Sequence, residues 1–566
     1  MSSAPAATRS NVRPDPENEW TIMVFLAGDP HLSPSMTAQL KAIKDAGFQE
    51  NTTVLVHYDP NEKGVAVTTF NINSKRKRDL LKKGERGTRI GDGRDPFVRN
   101  LLEDAIHGAT RTDNANQALR TFLDIGATRF KAKHYMVFLV GHGVIVGNDA
   151  FLPDSSPQGG ISLEQLGDTL RHFKRTIPSD AIVELVGLHS CSMSGVEVLF
   201  ELKDTAKYLM ATEGASFVAS WPYRQLLKKF LNAVEESKIG PKTPLVLGNL
   251  IKSIHKLSLH NSTDFMFSGL SADLCLSSLD RHRVDKLKTP IENLVVALKQ
   301  ALKPPDGWDE EEEWRGVQLI KLAHLEAQSY FEETYTDLYD FCLCLKRRCT
   351  EHTFKNSLKE ACTKVIDALK EGAPESVVVQ SDHFGPMSQY SHGMSIFFPW
   401  SRPVQDEPLF LDNNMLSRYE NYEFTKALGP NSWLSFLDDY FNATLRKSRE
   451  DEDGQPVTTM VKAALAAAAA SGNGGGTTAI GVFASGIVDS LAKDSPSLAK
   501  DSPSLAKDSP SLTKDSPSLK DSPRLADGCG CSIKNYPMRF AVSPRGAEDP
   551  NPDAAKRAET TNVVIY

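Results

Sequence analysis

Two short apolar runs, each ending in a residue suited to covalent or proton-transfer chemistry, constrain this chain most. Residues 134–143 read HYMVFLVGHG and residues 181–195 read AIVELVGLHSCSMSG. Both runs are short, apolar and rich in β-branched residues, the pattern of strands buried on both faces of a parallel sheet. The first stops at Gly141-His142-Gly143. The second stops at Cys191, followed by small residues. In an open α/β sheet, chemistry gathers beyond the carboxyl ends of the strands. If the two strands are neighbours, His142 and Cys191 meet at one sheet edge, as a nucleophile and its histidine partner do. Taken singly, the cysteine reads as a small buried hydrophobe and the histidine as a satisfied one. The pairing after two strands, with glycines on both sides of the histidine, favours catalysis.

The flanking backbone suits the same chemistry. Gly143 has no Cβ, so its N–H can approach a substrate carbonyl. With the N–H of Cys191 it forms a candidate oxyanion hole. Residues from about 193 to 202 read as a helix whose N-terminus would lie near the sulfur and favour its thiolate.

The rest of the chain supports an α/β reading. Strands are expected at 20–26, 52–58 and 65–71, with a helix at about 34–46. Helices follow at 114–126 and 163–175, and a further strand at 208–212. This alternation predicts a doubly wound, mostly parallel sheet. Helices are expected at 224–239, 243–260, 279–302, 334–347 and 354–371. Strands near 376–380 and 393–398 complete the sheet or form a small second one. Residues 304–313, PPDGWDEEEE, read as a loop carrying an acidic, solvated run.

Three segments follow from composition. Residues 1–18 are polar and Pro-rich and read as disordered. Residues 19–445 hold the folded domain with its helical insertions. Residues 446–566 read as a largely disordered, low-complexity tail. That tail contains SLAKDSP at 490, 497 and 504, SLTKDSP at 511 and SLKDSP at 518. A proline in every unit excludes a continuous helix, so the heptad spacing is not a coiled coil. The tail is a spacer, either binding a protein partner or without a specific role.

The net charge of −7 over 566 residues is modest and spread out, which argues against nucleic acid as a partner. Lys75-Arg76-Lys77-Arg78 reads as a solvated loop. The eight cysteines lack zinc spacing, and no metal or cofactor is required by the sequence. No apolar stretch reaches the roughly 20 residues of a membrane span. The first residues lack the apolar centre of a signal peptide, so the cytoplasm is the expected location and no membrane partner is expected.

Several blocks, in order, resemble the clostripain family of cysteine peptidases, in the wider group of caspases, gingipains and legumains. Trp20-Thr21-Ile22-Met23-Val24-Phe25-Leu26-Ala27-Gly28-Asp29 is similar to the family's opening strand. His142-Gly143 matches the histidine motif, and Cys191-Ser192-Met193-Ser194-Gly195 resembles the cysteine motif. The 49-residue gap between them is close to the roughly 50 residues found in caspases. Tyr208 to Glu213 and Trp221-Pro222-Tyr223 look like the next strand and loop. Leu270-Ser271-Ala272-Asp273-Leu274, Asp337-Leu338-Tyr339-Asp340-Phe341 and His392-Gly393-Met394-Ser395-Ile396-Phe397-Phe398-Pro399 resemble the later blocks.

The resemblance implies a caspase-like αβα sandwich and a cysteine endopeptidase acting on protein or peptide substrates. It also implies maturation by internal cleavage, for which the basic run at 75–78 is a candidate, and calcium as a cofactor, for which Glu310 to Glu313 are candidates. Two positions depart from the family. The aspartate usual two residues before the nucleophile is His189, and the acid after the Trp-Pro-Tyr stretch is Arg224. His189, Glu213 and Arg224 are therefore candidate pocket residues. For substrate preference the alternatives are one altered from Arg or Lys and a basic specificity retained through the negative charge of Glu213. The alternatives are a non-catalytic caspase-like scaffold and a peptide ligase or other acyl transferase on the same fold.

Overall fold

The computed structural model describes residues 18–27, 32–46, 52–59, 67–72, 114–143, 160–216, 221–237, 271–303, 310–330, 334–349, 355–400, 402 and 415–449. The tail repeats, the basic run at 75–78 and the helix expected at 243–260 lie outside these residues.

The described chain opens with β1 (Asn18–Ala27), α1 (Ser33–Asp45), β2 (Thr52–Asp59) and β3 (Thr68–Asn71). It continues through α2 (Ala115–Arg129), β4 (Ala132–Val140), α3 (Leu163–Thr176), β5 (Ile182–His189), α4 (Val196–Leu202) and β6 (Tyr208–Ala211). Then come α5 (Tyr223–Ser237), β7 (Ala272–Ser278), α6 (Arg281–Leu302) and α7 (Glu310–Glu326). The small strands β8 (Ser329–Tyr330) and β9 (Tyr335–Asp337) precede α8 (Leu338–Arg348) and α9 (Lys355–Leu369). Strands β10 (Val378–Phe384) and β11 (Ser395–Phe397) and helices α10 (Met415–Tyr419), α11 (Glu423–Leu428) and α12 (Trp433–Arg449) follow. One compact unit runs to Asp439. Tyr440–Arg449, the end of α12, is the described part of a second.

Eight strands form one sheet in the order β10-β7-β6-β5-β4-β1-β2-β3. Strands β2, β1, β4, β5 and β6 are parallel, and antiparallel pairing is confined to β2/β3, β6/β7 and β7/β10. The chain leaves β1 toward β2 on one side and returns to β4 on the other, so the sheet has its switch point between β1 and β4. Alternate residues of β1 face opposite layers. Trp20, Ile22 and Val24 pack with Met36 and Ile43 of α1 and Phe230 of α5 in one core. On the other face Phe25 meets Phe122 of α2, and Tyr135 of β4 stands edge-on to Phe173 of α3. Each such fully buried apolar side chain contributes about 1.5–3 kcal/mol, which explains why the β1, β4 and β5 runs tolerate so little polarity. The expected αβα sandwich with a mostly parallel sheet is the architecture observed.

Local chemistry sets the element ends. Ser162 caps α3 through a reciprocal capping box with Gln165, satisfying amide groups the first turn leaves open. Asp337 caps α8, accepting from the Asp340 amide at 2.7 Å.

Four expectations are corrected. The helix expected at 334–347 starts at Leu338, because 335–337 pair as β9 with β11 and β8. The acidic run at 310–313 opens helix α7 rather than lying in a loop. Buried Val317, Ile320 and Ala323 supply the packing face of that helix. Of the strand expected at 65–71, the described residues form Thr68–Asn71, an antiparallel edge strand that starts after Val67. The helix after Cys191 begins at Val196, not near Met193, because residues 194 and 195 are held extended. Ser194 N donates to Thr212 O at 2.8 Å, and Gly195 bridges to Ser395.

Candidate active site

The last register pair of β4 and β5 joins Val140 to His189. Two residues further along each strand lie His142 and Cys191. The two strands are neighbours, so the loops that carry these residues start from the same sheet edge. A Cβ built on Gly143 would lie 2.7 Å from Cys191 C and 2.8 Å from Cys191 N. The histidine loop is therefore laid against the peptide of the cysteine, at a spacing only glycine permits. Both His142 and Cys191 are buried. The site lies at the carboxyl ends of neighbouring parallel strands, one strand from the switch point, where open α/β sheets place their ligands.

A second loop, 212–216 after β6, forms the other wall. The Ser216 amide donates to Cys191 Sγ at 3.4 Å. Ser192 N donates to Gly214 O at 3.0 Å, and Ser192 Oγ donates to Glu213 O at 3.3 Å. These bonds hold Ser192 at φ +54°, a left-handed conformation that costs a non-glycine residue about 1–3 kcal/mol. The bend turns the chain sharply after the nucleophile and leaves the sulfur facing the 212–216 loop. Helix α4, seven residues long and starting at Val196, does not supply the donor on the sulfur. The Ser216 amide does.

The three candidate pocket residues sit apart in character. His189 is buried, with its ring stacked on Trp221 at 4.5 Å between centroids and its Nδ1 3.3 Å from Tyr223 Oη. Arg224 is exposed in the first turn of α5. Glu213 is fully buried, and its Oε2 accepts from Gly393 N at 2.8 Å and Tyr330 Oη at 3.3 Å. Burial, with Asp337 and Asp273 beside it, pushes the Glu213 carboxyl well above the usual range. The structure thus packs the His142-Gly143 loop on the Cys191 peptide and sets the Glu213 side chain of the 212–216 loop beside the Asp337 and Asp273 carboxyls.

Sequence reasoning missed Ser216 and Asp273 as parts of this region. Asp273 accepts from the Glu213 amide at 2.5 Å and the Gly214 amide at 3.0 Å. Its only sequence signal was membership of the Leu270–Leu274 block.

Calcium, implied by resemblance, has its candidates at Glu310 to Glu313. Among the described residues no group of three or more His, Cys, Asp or Glu is placed to hold a metal ion, and the side chains of Glu310 to Glu313 lie outside them. No catalytic step is routed through calcium. Among the described residues no helix is long and apolar enough to cross a membrane.

A mostly parallel α/β sandwich with a cysteine loop and a histidine loop packed together at one sheet edge fits the class of cysteine peptidases. Residues 24–440 match the clostripain family of peptidases, and the chain belongs to that family. The solved structures it is similar to include an inactive zymogen C11 protease from Parabacteroides distasonis, 13% identical, with a TM-score of 0.42, covering 73% of this chain and 99% of that one. They also include a secreted C11 cysteine protease from Bacteroides thetaiotaomicron, 12% identical, with a TM-score of 0.44 and coverage of 73% and 99%. The same kind of enzyme in complex with an irreversible peptide inhibitor is 13% identical, with a TM-score of 0.42 and coverage of 75% and 99%. At these TM-scores the structural likenesses add no argument about the site. No curated protein matches the chain.

Proposed function

We propose that the chain hydrolyses peptide bonds through a Cys191–His142 dyad. Cys191 passes its thiol proton to His142 as Sγ attacks the carbonyl carbon, the amine leaves with that proton, and water then releases the acyl group as the acid and returns a proton to the sulfur. The N–H groups of Gly143 and Cys191 stabilise the oxyanion, in the role that preorganised amides play in acyl transfer. The observation that carries this reading is the packing of Gly143 on the Cys191 peptide, which joins the two loops at one sheet edge. Cys191→Ala and His142→Ala should each abolish turnover in a protein that unfolds near the wild-type temperature. A Cys191→Ala protein that still cleaves a peptide library would refute the assignment. An irreversible thiol-reactive peptide probe should label Cys191 in the wild type. The non-catalytic scaffold reading expects no labelling, and a ligase would join peptides where a hydrolase splits them.

The preference at the residue before the scissile bond is proposed to depart from Arg and Lys. A basic side chain in a closed pocket needs a carboxylate, because a buried unpaired charge costs several kcal/mol on the general scale. His189 stands where the family carries aspartate, and Glu213 gives Oε2 to Gly393 and Tyr330. A library profile should favour uncharged or acidic residues, and His189→Asp should move it toward Arg. A wild-type profile dominated by Arg or Lys contradicts this.

A further inference from the structure

Glu213 lies at the centre of a bonded arrangement that reaches the nucleophile. Its peptide N–H and that of Gly214 both donate to the Asp273 carboxylate. Its carbonyl and that of Gly214 accept from Ser192. Its side chain accepts from Gly393 N, and the carbonyl of Gly393 accepts from Ser194 Oγ at 2.7 Å. The loop after Cys191, the 212–216 wall and the chain at 393 are therefore tied into one closed circuit. Ser216, at the end of that wall, donates to the sulfur.

Asp273 and Glu213 play different parts in this circuit. Asp273 offers one oxygen to each of two consecutive amides, which a carboxylate does and a carboxamide cannot. Glu213 Oε2 is occupied by Gly393 N and Tyr330 Oη, while Oε1 meets no N–H or O–H donor among the described residues and the carboxyl's other side-chain hydrogen-bond partner is the Asp337 carboxyl. An ionised carboxylate with an empty oxygen in a closed site is costly, whereas a neutral carboxyl tolerates the arrangement. Burial first, then the facing Asp337 and Asp273 carboxyls, favour the neutral form at Glu213. The same burial raises Asp273, opposed by the two amide bonds. The Tyr330 phenol, itself pushed upward by burial and these acids, stays neutral and donates. A neutral glutamic acid behind the wall is poorly suited to pair with a substrate cation.

We propose that Asp273 and Glu213 are positioning residues of the peptidase: Asp273 fixes the 212–216 wall, and Glu213 locks it to Gly393 and the Cys191 loop instead of recognising substrate charge. This rests on Cys191 as the nucleophile. Misplacing catalytic groups by about 1 Å can lower rates on the order of 100-fold, so the circuit should govern kcat more than KM.

The test uses the full chain and compares wild type with Glu213→Ala, Glu213→Gln and Asp273→Asn. It reads kcat and KM separately, the library profile, the unfolding temperature and the rate at which iodoacetamide alkylates Cys191. Glu213→Ala and Asp273→Asn should lower kcat about tenfold or more with KM within about threefold, and should change the alkylation rate, because the sulfur loses its fixed setting. Glu213→Gln should recover kcat to within about threefold of wild type, since the amide oxygen still accepts from Gly393. If Glu213→Ala does not fold, the glutamine variant decides alone. A folded Glu213→Gln protein that loses turnover of Arg or Lys peptides selectively, or loses kcat tenfold, overturns the proposal, as do wild-type kcat values in Glu213→Ala and Asp273→Asn. Failure of the dyad reading shows itself separately, as a wild-type protein that the peptide probe does not label, while the alkylation rates still report on the circuit.

Discussion

Gly143→Ala isolates the contact that carries the functional reading. The added methyl would stand 2.7 Å from Cys191 C and 2.8 Å from Cys191 N, and closer still to Cys191 O. Ordinary contact begins near 3.4 Å, and the atoms in the way belong to a backbone that cannot rotate aside. The Cys191 peptide or the histidine loop must retreat by at least about 1 Å. A displacement of that size in a catalytic constellation can cost on the order of 100-fold in rate, about 2.7 kcal/mol of transition-state stabilisation. The prediction is a fall in kcat/KM of about that size, with a smaller fall in the rate of labelling by a thiol reagent that needs no oxyanion hole. Gly126→Ala serves as the control. There the methyl meets the end of the Met23 side chain, a flexible group in the core. Overpacking of this kind costs about 1–3 kcal/mol of stability and should leave kcat/KM near wild type in the folded protein. A Gly143→Ala enzyme with kcat/KM within threefold of wild type would refute the argument, because His142 would then not depend on a loop seated on the Cys191 peptide.

Two further predictions concern stability. Burial alone would raise the Glu184 carboxyl, but hydrogen bonds from His134 at 2.8 Å and from Lys207 more than offset this and leave it below its ordinary value. The sign is that of a depressed carboxyl. Its stabilising contribution is present above the unfolded-state value, about 4.3 for glutamate, and is lost as pH falls through the lower folded value. Glu184→Gln should lower the unfolding temperature at pH 7 and progressively less as pH falls below the unfolded-state value; an equal loss at neutral and at acid pH would contradict the assignment. Truncation after Arg449 should leave a cooperatively unfolding protein, because the Pro-rich, repetitive tail offers little apolar surface to bury. Loss of cooperative thermal unfolding on truncation would show that the tail packs on the domain.

How much of this was legible in the sequence depended on distance along the chain. The β4 and β5 runs could be read because each strand is a local apolar pattern. His142 and Cys191 follow because strand ends in a parallel sheet come into register. Helix α7 was hidden because its first turn is four glutamates after Pro304-Pro305-Asp306-Gly307, composition that resembles a solvated loop until the buried Val317–Ala323 face is known. Strand β9 has three residues and runs directly into α8, too short for any period to show. The circuit around Glu213 escaped for a different reason. Its partners lie 60 residues away at Asp273 and 180 away at Gly393, and no local pattern encodes such meetings. Yet Asp273, Asp337 and Gly393 each fall in one of the three later blocks that resemble the family. Those blocks looked like unrelated strand and helix fragments in the sequence. In the fold Asp273 and Gly393 bond to Glu213, and the Asp337 carboxyl adds to the burial that raises the Glu213 carboxyl, so all three blocks meet at the loop whose Ser216 amide donates to the Cys191 sulfur.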